Sequence, residues 1–452
     1  MSSPISLNVT GLDTENLIQE LMRVERQPLV ALEAKQQTIS SKKAAWNTLK
    51  SKLESLMSKM KPLLEQGVFT AKTAKCGHSE VVSATASETA VPGTYQIEVI
   101  NLARAHTLQS RSFTQSPDEA LGFSGRLVLG IGDAAEEIVV GEDDSLNSIA
   151  AQINSIEDLG IKASVLQVEP SEYRLVLVAE STGQAITFEQ QGFEQGMDLG
   201  LSTVEGHEPA KATFKINGIT FQRDSNDITD AIPGLRLTLH KTGVTSVSVS
   251  YDDDALVKTV RDFINEYNSL LDLTARYNAY DSETRTAGLL FGDPLLQRLL
   301  SQIRQTIFRE VSDKLPGFRF IGDIGISTGS IGAYSRDGKL TLDESRLREA
   351  LAENREAVAS LLGGDEPDSQ GALVSLKQVL EMYVAHDGFL PLRESTLEAQ
   401  NKDISRQIEN LERRLEVRLT SLRRQFTALE SLLIQMNSQS LFMSQQVQRL
   451  FS

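Results

Sequence analysis

The sequence predicts an α+β multidomain protein, with long N- and C-terminal helices that form coiled-coil and helical leg domains and two inserted β-rich head domains of ββαββ type. Three observations predict this fold class. Apolar residues recur at heptad spacing near both ends, whereas residues 78–251 alternate with the period of two that strands show. The length of 452 residues also exceeds what one hydrophobic core accommodates, and favours about three domains.

The N-terminal helical region covers residues 14–64. Leu17, Leu21 and Val24 mark a first apolar stripe. Pro28 fits best in the first turn of a helix, so we expect a break near Gln27 rather than one rod. A second stripe, with alternating spacings of three and four, consists of Trp46, Leu49, Leu53, Leu56, Met60 and Leu63.

The C-terminal segment, from about residue 394 to residue 449, has an apolar stripe like that of the N-terminal helical region. Neither glycine nor proline occurs after Arg393, which predicts one helix of roughly 84 Å at a rise of about 1.5 Å per residue. An extra spacing of four between Leu415 and Leu419 departs locally from the heptad register. The stripe consists of Ile404, Ile408, Leu411, Leu415, Leu419, Leu422, Phe426, Leu429, Leu433 and Met436.

Both stripes need a partner, because helix propensity alone does not keep an exposed amphipathic helix folded in water. One interpretation is that the terminal helices pack on each other within one chain. The other is that part of each stripe contacts further subunits, and both can hold along different stretches. The residues expected to form these coiled-coil and inter-subunit surfaces are Leu17, Leu21, Val24, Leu415, Leu422, Phe426, Leu429 and Leu433.

The β-rich part contains two similar modules, each with a polar cap before a short helix. The first module has strands at 127–129, 138–140, 163–168 and 173–178, with a helix at 145–154. The second has strands at 212–216, 219–222, 235–240 and 244–249, with a helix around 228–232. An Asn217-Gly218 pair marks a hairpin turn in the second module.

The helical period returns at Asp254 and continues to about residue 271. Further helices are expected at 295–311 and 343–362, with a short sheet-like stretch at 320–342 between them and a loop at 363–371.

These patterns divide the chain into four parts. Residues 1–45 and 400–452 form a terminal helical domain, and residues 46–77 and 252–399 form a helical leg with a small sheet. Residues 78–120 and 207–251 form a head domain, into which an outer head domain at 121–206 is inserted.

The net charge of -16 argues against a nucleic-acid or anionic membrane partner. The charge is uneven. Residues 1–70 and 393–452 each hold 9 basic and 7 acidic residues, which leaves 27 basic and 47 acidic residues, a charge of -20, in the middle. Cys76 is the only cysteine and the five histidines are widely spaced, so we expect neither a disulfide nor a metal site.

The N-terminal residues lack the charged and apolar regions of a secretory signal peptide, and no apolar run reaches the roughly 20 residues of a membrane span. We therefore expect no membrane span, and any export to follow another route.

One catalytic pattern is present. Gly325-Ile-Ser327-Thr-Gly329 matches the G-x-S-x-G nucleophile elbow, but an elbow requires a helix directly after the serine, and a hairpin is expected here. A stretch at 332–339 has the wrong spacing for a phosphate loop. Three aspartates at 252–254 are interpreted as a helix start rather than a cation site. A secreted hydrolase acting through Ser327 remains as the alternative from a different functional class.

The order and spacing of several short motifs resemble the flagellar filament capping protein family, also called hook-associated protein 2. The resemblance extends from residue 11 to about residue 360. The matching segments are Gly11-Leu12-Asp13, 18–22, 25–29, 43–53, 92–103, 145–154, 263–268, 291–293, 325–327 and 338–343.

The resemblance implies a non-enzymatic bacterial protein without a cofactor, exported through the flagellar type III apparatus to the extracellular tip of the flagellum. It also implies a closed ring of about five or six copies of the chain, in which the head domains form a plate and the terminal helices form legs. The implied partners are flagellin, the hook-filament junction protein, and a cytoplasmic export chaperone at the C-terminal helix. The nearest alternative is another flagellar axial protein, either a junction protein or a flagellin-like subunit.

Overall fold

A computed structural model describes residues 13–65, 67–132, 134–311, 317–329, 338–366 and 369–450. Its helices, in chain order, are α1 (Thr14–Glu25), α2 (Gln27–Leu64), α3 (Gly67–Thr70), α4 (Leu146–Ser155), α5 (Asp253–Asn278), α6 (Pro294–Ile307), α7 (Glu344–Gly363), α8 (Ala372–Val384) and α9 (Phe389–Leu450). A 3-10 turn covers Ile321–Ile324.

The strands between residues 72 and 251, in chain order, are β1 (Lys72–Cys76), β2 (Val82–Ala86), β3 (Gly93–Asn101), β4 (Ala105–Gln109), β5 (Gly125–Ile131), β6 (Ala134–Val140), β7 (Ile161–Glu169), β8 (Glu172–Thr182), β9 (Ile186–Gln191), β10 (Ser202–Thr203), β11 (Ala212–Ile216), β12 (Ile219–Arg223), β13 (Asp227–Ile232), β14 (Leu235–Leu239) and β15 (Gly243–Tyr251). Three short two-stranded ladders follow: β16 (Tyr280–Asp281) with β17 (Thr286–Ala287), β18 (Ile326–Ser327) with β19 (Thr341–Leu342), and β20 (Asp365–Glu366) with β21 (Ser369–Gln370).

The chain divides into two compact units, and the predicted fold class is confirmed. The helical unit combines the described residues of 1–66 and 257–452, and the β unit comprises those of 67–256. The predicted break between α1 and α2 lies at Arg26, whose backbone (φ -83°, ψ -10°) stays in the right-handed helical region. A single residue with helical dihedral angles therefore separates the two helices.

The helical unit buries the second N-terminal stripe completely, from Trp46 to Leu63 on α2. Helices α7, α8 and α9 pack against α2, and α6 packs against α8. Because α2 and α9 each run across the expected boundary between a terminal domain and a leg, that subdivision remains a prediction.

The β unit has two hydrophobic cores. The inner core lies between the five-stranded sheet β1-β15-β3-β11-β12 and the three-stranded sheet β13-β14-β2. The outer core lies among the sheets β10-β4-β8-β7 and β6-β5-β9 and helix α4. A capping box between Ser145 and Ser148 begins α4, as the polar cap predicted.

Three details of the predicted β region are wrong. The expected second helix at 228–232 is the strand β13, so this module lacks the α-helix of a ββαββ unit. Strand β1, which we assigned to the leg at 46–77, pairs with β15 in the inner sheet. Strand β4, which we assigned to the inner head at 78–120, pairs with β8, and Leu108 and Phe113 belong to the outer core.

A buried imidazole links the sheets of the outer core. His106 on β4 accepts a hydrogen bond at Nδ1 from the Ile186 amide (2.9 Å), and its Nε2 lies 3.0 Å from the Thr203 hydroxyl. This arrangement uses the neutral ring with its proton on Nε2. Burial lowers the pKa of His106, while the Glu208 charge acts in the opposite direction.

We predict that the outer core loses stability as the pH falls below about 6.5, the ordinary histidine value. The folded imidazole has the lower pKa, so the unfolded chain binds the proton more tightly. The protection factor of the Ile186 amide in the full chain, which corrects the exchange rate for its intrinsic dependence on pH, should fall with acidification, and His106→Gln should abolish that response. The exposed residue His386, replaced by Gln, serves as the control. Equal acid sensitivity in the His106 variant would contradict this role.

Candidate assembly surfaces

The two ends of the described chain meet in an antiparallel helix pair formed by α1 and α2 with α9. Residues with lower numbers on α1 and α2 make polar contacts with residues of higher numbers on α9, as an antiparallel pair requires. Their donor–acceptor distances lie between 2.5 and 3.5 Å. The pairs are Lys43 with Glu394 and Glu398, Gln36 with Ser405, Glu25 with Arg418, Glu15 with Arg423, and Thr14 with Glu430.

An apolar seam holds the pair together. Ile18 and Met22 of α1 are buried against Leu415 and Leu422 of α9. Leu29, Leu411, Leu419 and Phe426 pack around this cluster and are partly buried. The interpretation that the terminal helices pack on each other within one chain is therefore correct along this stretch.

Polar groups also occur in the seam. The Gln36 side-chain amide donates to the Ser405 hydroxyl at 2.8 Å between the helices. Nearby, a hydrogen bond to Glu398 is the largest cause that raises the pKa of Lys43, and Glu394 adds to it. A polar pair inside an apolar seam favours one register, since a slip would leave both groups unpaired.

The predicted N-terminal stripe lies outside this seam. Leu17, Leu21 and Val24 are all exposed, and the neighbouring residues Ile18 and Met22 fill the positions against α9 instead. Both sets repeat at heptad-compatible spacing, so the sequence pattern alone does not identify the inward face. These three residues therefore lie outside the contact within one chain, and their expected role in contacts between subunits stays a prediction.

The exposed stripe continues into α2. At about 100° per residue, Leu17, Leu21, Val24, Pro28 and Ala31 fall on one face of the α1–α2 helix, and we call this face the outer lane. Pro28 and Ala31 also line a groove of about 960 Å³ between α2 and α9. The outer lane is thus an apolar surface about 21 Å long beside the helix pair.

The C-terminal members of the predicted stripe divide into two groups. Leu415 and Leu422 are buried and Phe426 is partly buried in the seam. Leu433 is partly exposed and Leu429 is exposed. Helix α9 continues to Leu450, beyond the contact between Thr14 and Glu430.

That last part of α9 has an unusual composition. Residues 431–448, which we call the distal segment, contain no charged residue, although the preceding part of α9 is densely charged. Several of its large apolar side chains are exposed: Leu432, Ile434, Met436, Leu441, Phe442, Met443 and Val447. An apolar helical surface of this kind is typical of a contact site.

Several motifs of the sequence serve the fold rather than a reaction. Three asparagines each bind both the amide and the carbonyl of one residue on another element, with all six distances between 2.7 and 2.9 Å. These pairs are Asn154 with Ala163, Asn226 with Ala103, and Asn268 with Leu340. Asp293 caps α6 and binds Arg393 of α9 at 2.7 Å. The sequence did not predict these asparagine contacts, because a single asparagine that binds a distant backbone group leaves no periodic pattern in the sequence.

The candidate nucleophile lies in a different setting from an elbow. Ser327 belongs to the ladder β18–β19, and its hydroxyl lies 3.3 Å from the Gly329 carbonyl and 3.5 Å from the Thr341 hydroxyl. Asp252 caps the start of α5 by accepting from the Ala255 amide at 3.0 Å, as predicted. The stretch at 332–339, whose spacing is wrong for a phosphate loop, lies mostly outside the described residues.

Within the described ranges, no group of three His, Cys, Asp or Glu residues is arranged to hold a metal ion. In that same part of the chain, no helix is long and apolar enough to cross a membrane.

Comparisons with known proteins find relatives of one family that match nearly the whole chain. The family model of the flagellar hook-associated protein 2 N-terminus matches residues 10–106, and that of the C-terminus matches residues 210–438. The chain is 26% identical to the flagellar hook-associated protein 2 of Escherichia coli and 28% identical to that of Salmonella typhimurium. Each match covers 99% of this chain and 98% of the relative.

A solved structure has the same fold. It is the crystal structure of the D1-D2-D3 domains of the flagellar cap protein FliD from Escherichia coli, with a TM-score of 0.59 and 24% identity. The match covers 78% of this chain and 99% of that chain.

We predict that Leu415→Ala destabilises the helix pair by about 2–5 kcal/mol, because it removes a buried side chain and leaves a cavity. Val417→Ala, two residues away, should have almost no effect, since Leu415 is 7% exposed and Val417 is 67% exposed. Amide hydrogen exchange of α1 in the full chain provides the measurement. Similar protection of α1 in the two variants would contradict the assigned seam.

Proposed function

Because the chain belongs to the flagellar hook-associated protein 2 family, we propose that it caps the distal end of the bacterial flagellar filament. Family membership confirms the prediction made from the motifs. The family is a structural one and not an enzyme family. In our proposal the oligomeric cap promotes the folding and insertion of exported flagellin and prevents its loss.

The observation that carries this proposal is a pair of exposed apolar surfaces, one on each partner of the helix pair. The outer lane and the distal segment both expose large apolar side chains, although the seam between the helices is already filled. Burial of such surfaces stabilises association by roughly 25 cal/mol per Å². In a protein that works as an assembly of copies, such surfaces can form the contacts between subunits.

The predicted interface residues acquire a specific role in this proposal. Leu17, Leu21, Val24, Leu429 and Leu433 contact neighbouring subunits, while Leu415, Leu422 and Phe426 form the seam that presents them. A closed ring of about five or six subunits is the expected assembly.

The charge distribution supports this division. Residues 71–392 carry a charge of -20, whereas each end carries +2. Close packing of many copies through a strongly acidic surface would meet repulsion. The nearly neutral helical ends permit subunit contact, and the acidic middle remains in solvent.

We further propose that the chain reaches the extracellular tip through the flagellar export apparatus. A protein with Cys76 as its only cysteine needs no oxidation to refold after export. The hook-filament junction protein and a cytoplasmic export chaperone at the C-terminal helix are the further expected partners, besides flagellin.

We predict that Val24→Glu, in cells that lack the native protein, shortens filaments and releases flagellin monomers into the medium. The substitution places a charge in an interface between subunits, where desolvation opposes it. Val30→Glu is the matched control, because Val24 is 60% exposed and Val30 is 62% exposed. Val30 lies roughly 140° around the helix from the outer lane.

Filament length by electron microscopy and flagellin in the culture supernatant provide the readout. Normal filaments without flagellin loss in the Val24→Glu strain would refute the role of the outer lane. Cell extracts must contain both variants at the level of the wild type.

A further inference from the structure

The distal segment of α9 has apolar side chains on two faces. At about 100° per residue, Leu432, Met436 and Met443 share one face, which lies roughly 70° around the helix from the direction of Leu415 and Leu422 in the seam. Ile434, Leu441 and Phe442 lie on the other side of the helix, and all three are exposed. A helix with two apolar faces requires partners on two sides.

The second face does not reach the outer lane of its own chain. Leu21 lies opposite the part of α9 between Arg418 and Arg423, as the ion pairs of Glu25 and Glu15 show. Phe442 is about 19 residues farther along the same helix, a distance of roughly 28 Å. A contact between these two surfaces would therefore join two different copies of the chain.

The two surfaces match in spacing and chemistry. Leu17 and Val24 are seven residues apart, and so are Ile434 and Leu441, which is the repeat that lets two helices pack side by side. Charged residues flank the outer lane, and two of them, Arg23 and Glu20, pair with each other. Because the distal segment carries no charge, it neither repels these residues nor brings a charged group into the contact without a partner.

We propose that the face formed by Ile434, Leu441 and Phe442 of one copy packs on the outer lane of the next copy. This inference rests on the proposed function and specifies how the cap subunits join. The contact is heterologous, because two different surfaces of the chain meet. Heterologous contacts close into rings when the rotation permits, whereas a contact of lane with lane would give only pairs.

Site-specific cross-linking tests this arrangement in the full chain. In a Cys76→Ser background, Leu21→Cys is placed in one chain and Phe442→Cys in a second chain with a tag of different size. A short bis-maleimide is added to the mixture and to each chain alone. We expect a mixed product in the mixture, and a chain with both cysteines should give a ladder that ends at the ring size.

Val30→Cys mixed with Phe442→Cys is the control, and we expect at least about a tenfold lower yield, the effect of roughly 1.4 kcal/mol. A dominant product between two Leu21→Cys chains would overturn the proposal in favour of lane-to-lane pairing. Equal yields with Val30→Cys would overturn it as well.

Oligomer size by light scattering and filament growth in cells are measured on the same variants. Rings and normal filaments without the mixed product would refute this contact and leave the proposed function intact. Absence of both assembly and filament growth for the unsubstituted chain would refute the proposed function together with this contact.

Discussion

The antiparallel contact between α1 and α9 is the constraint on which the rest of the helical unit depends. Residues about 400 positions apart must meet before Ile18 and Met22 can be buried against Leu415 and Leu422. In the same unit α2 and α9 lie side by side, and Trp46 and the following stripe are buried. The β unit is then an insertion between two chain segments that the helix pair holds together. The cost of closing so long a loop increases only slowly with its length.

Sequence periodicity predicted most of this architecture, because heptads and alternating strands are direct consequences of burial on one face. It identified both terminal helices, the break near Pro28, the capped helix after Ser145 and most strands. It did not distinguish Leu17 from Ile18 as the inward residue, since both fit a heptad. It also assigned a helix to β13, where pairing with β14 in the sheet outweighs local preference.

The candidate surfaces were only partly predictable for the same reason. Leu415 and Leu422 were expected in a helical contact and lie in the seam, whereas Leu429 lies on the exposed continuation of α9. Which apolar residues remain exposed depends on where the partner helix ends, and that is a property of the folded pair. The asparagine contacts depend on distant backbone positions and leave no periodic signal. The domain boundaries near β1 and β4 moved because strand pairing, rather than chain order, determines membership of a sheet.

Electron cryo-microscopy of filament ends from cells that produce this chain, with the cap labelled through a small tag, tests the central claim most directly. The account predicts a closed ring of this protein at the distal end of each filament, with helix pairs in contact between neighbouring copies. Incorporation of the label along the length of the filament, or long tubes formed by the purified chain alone, would contradict it and would favour a different axial component of the flagellum.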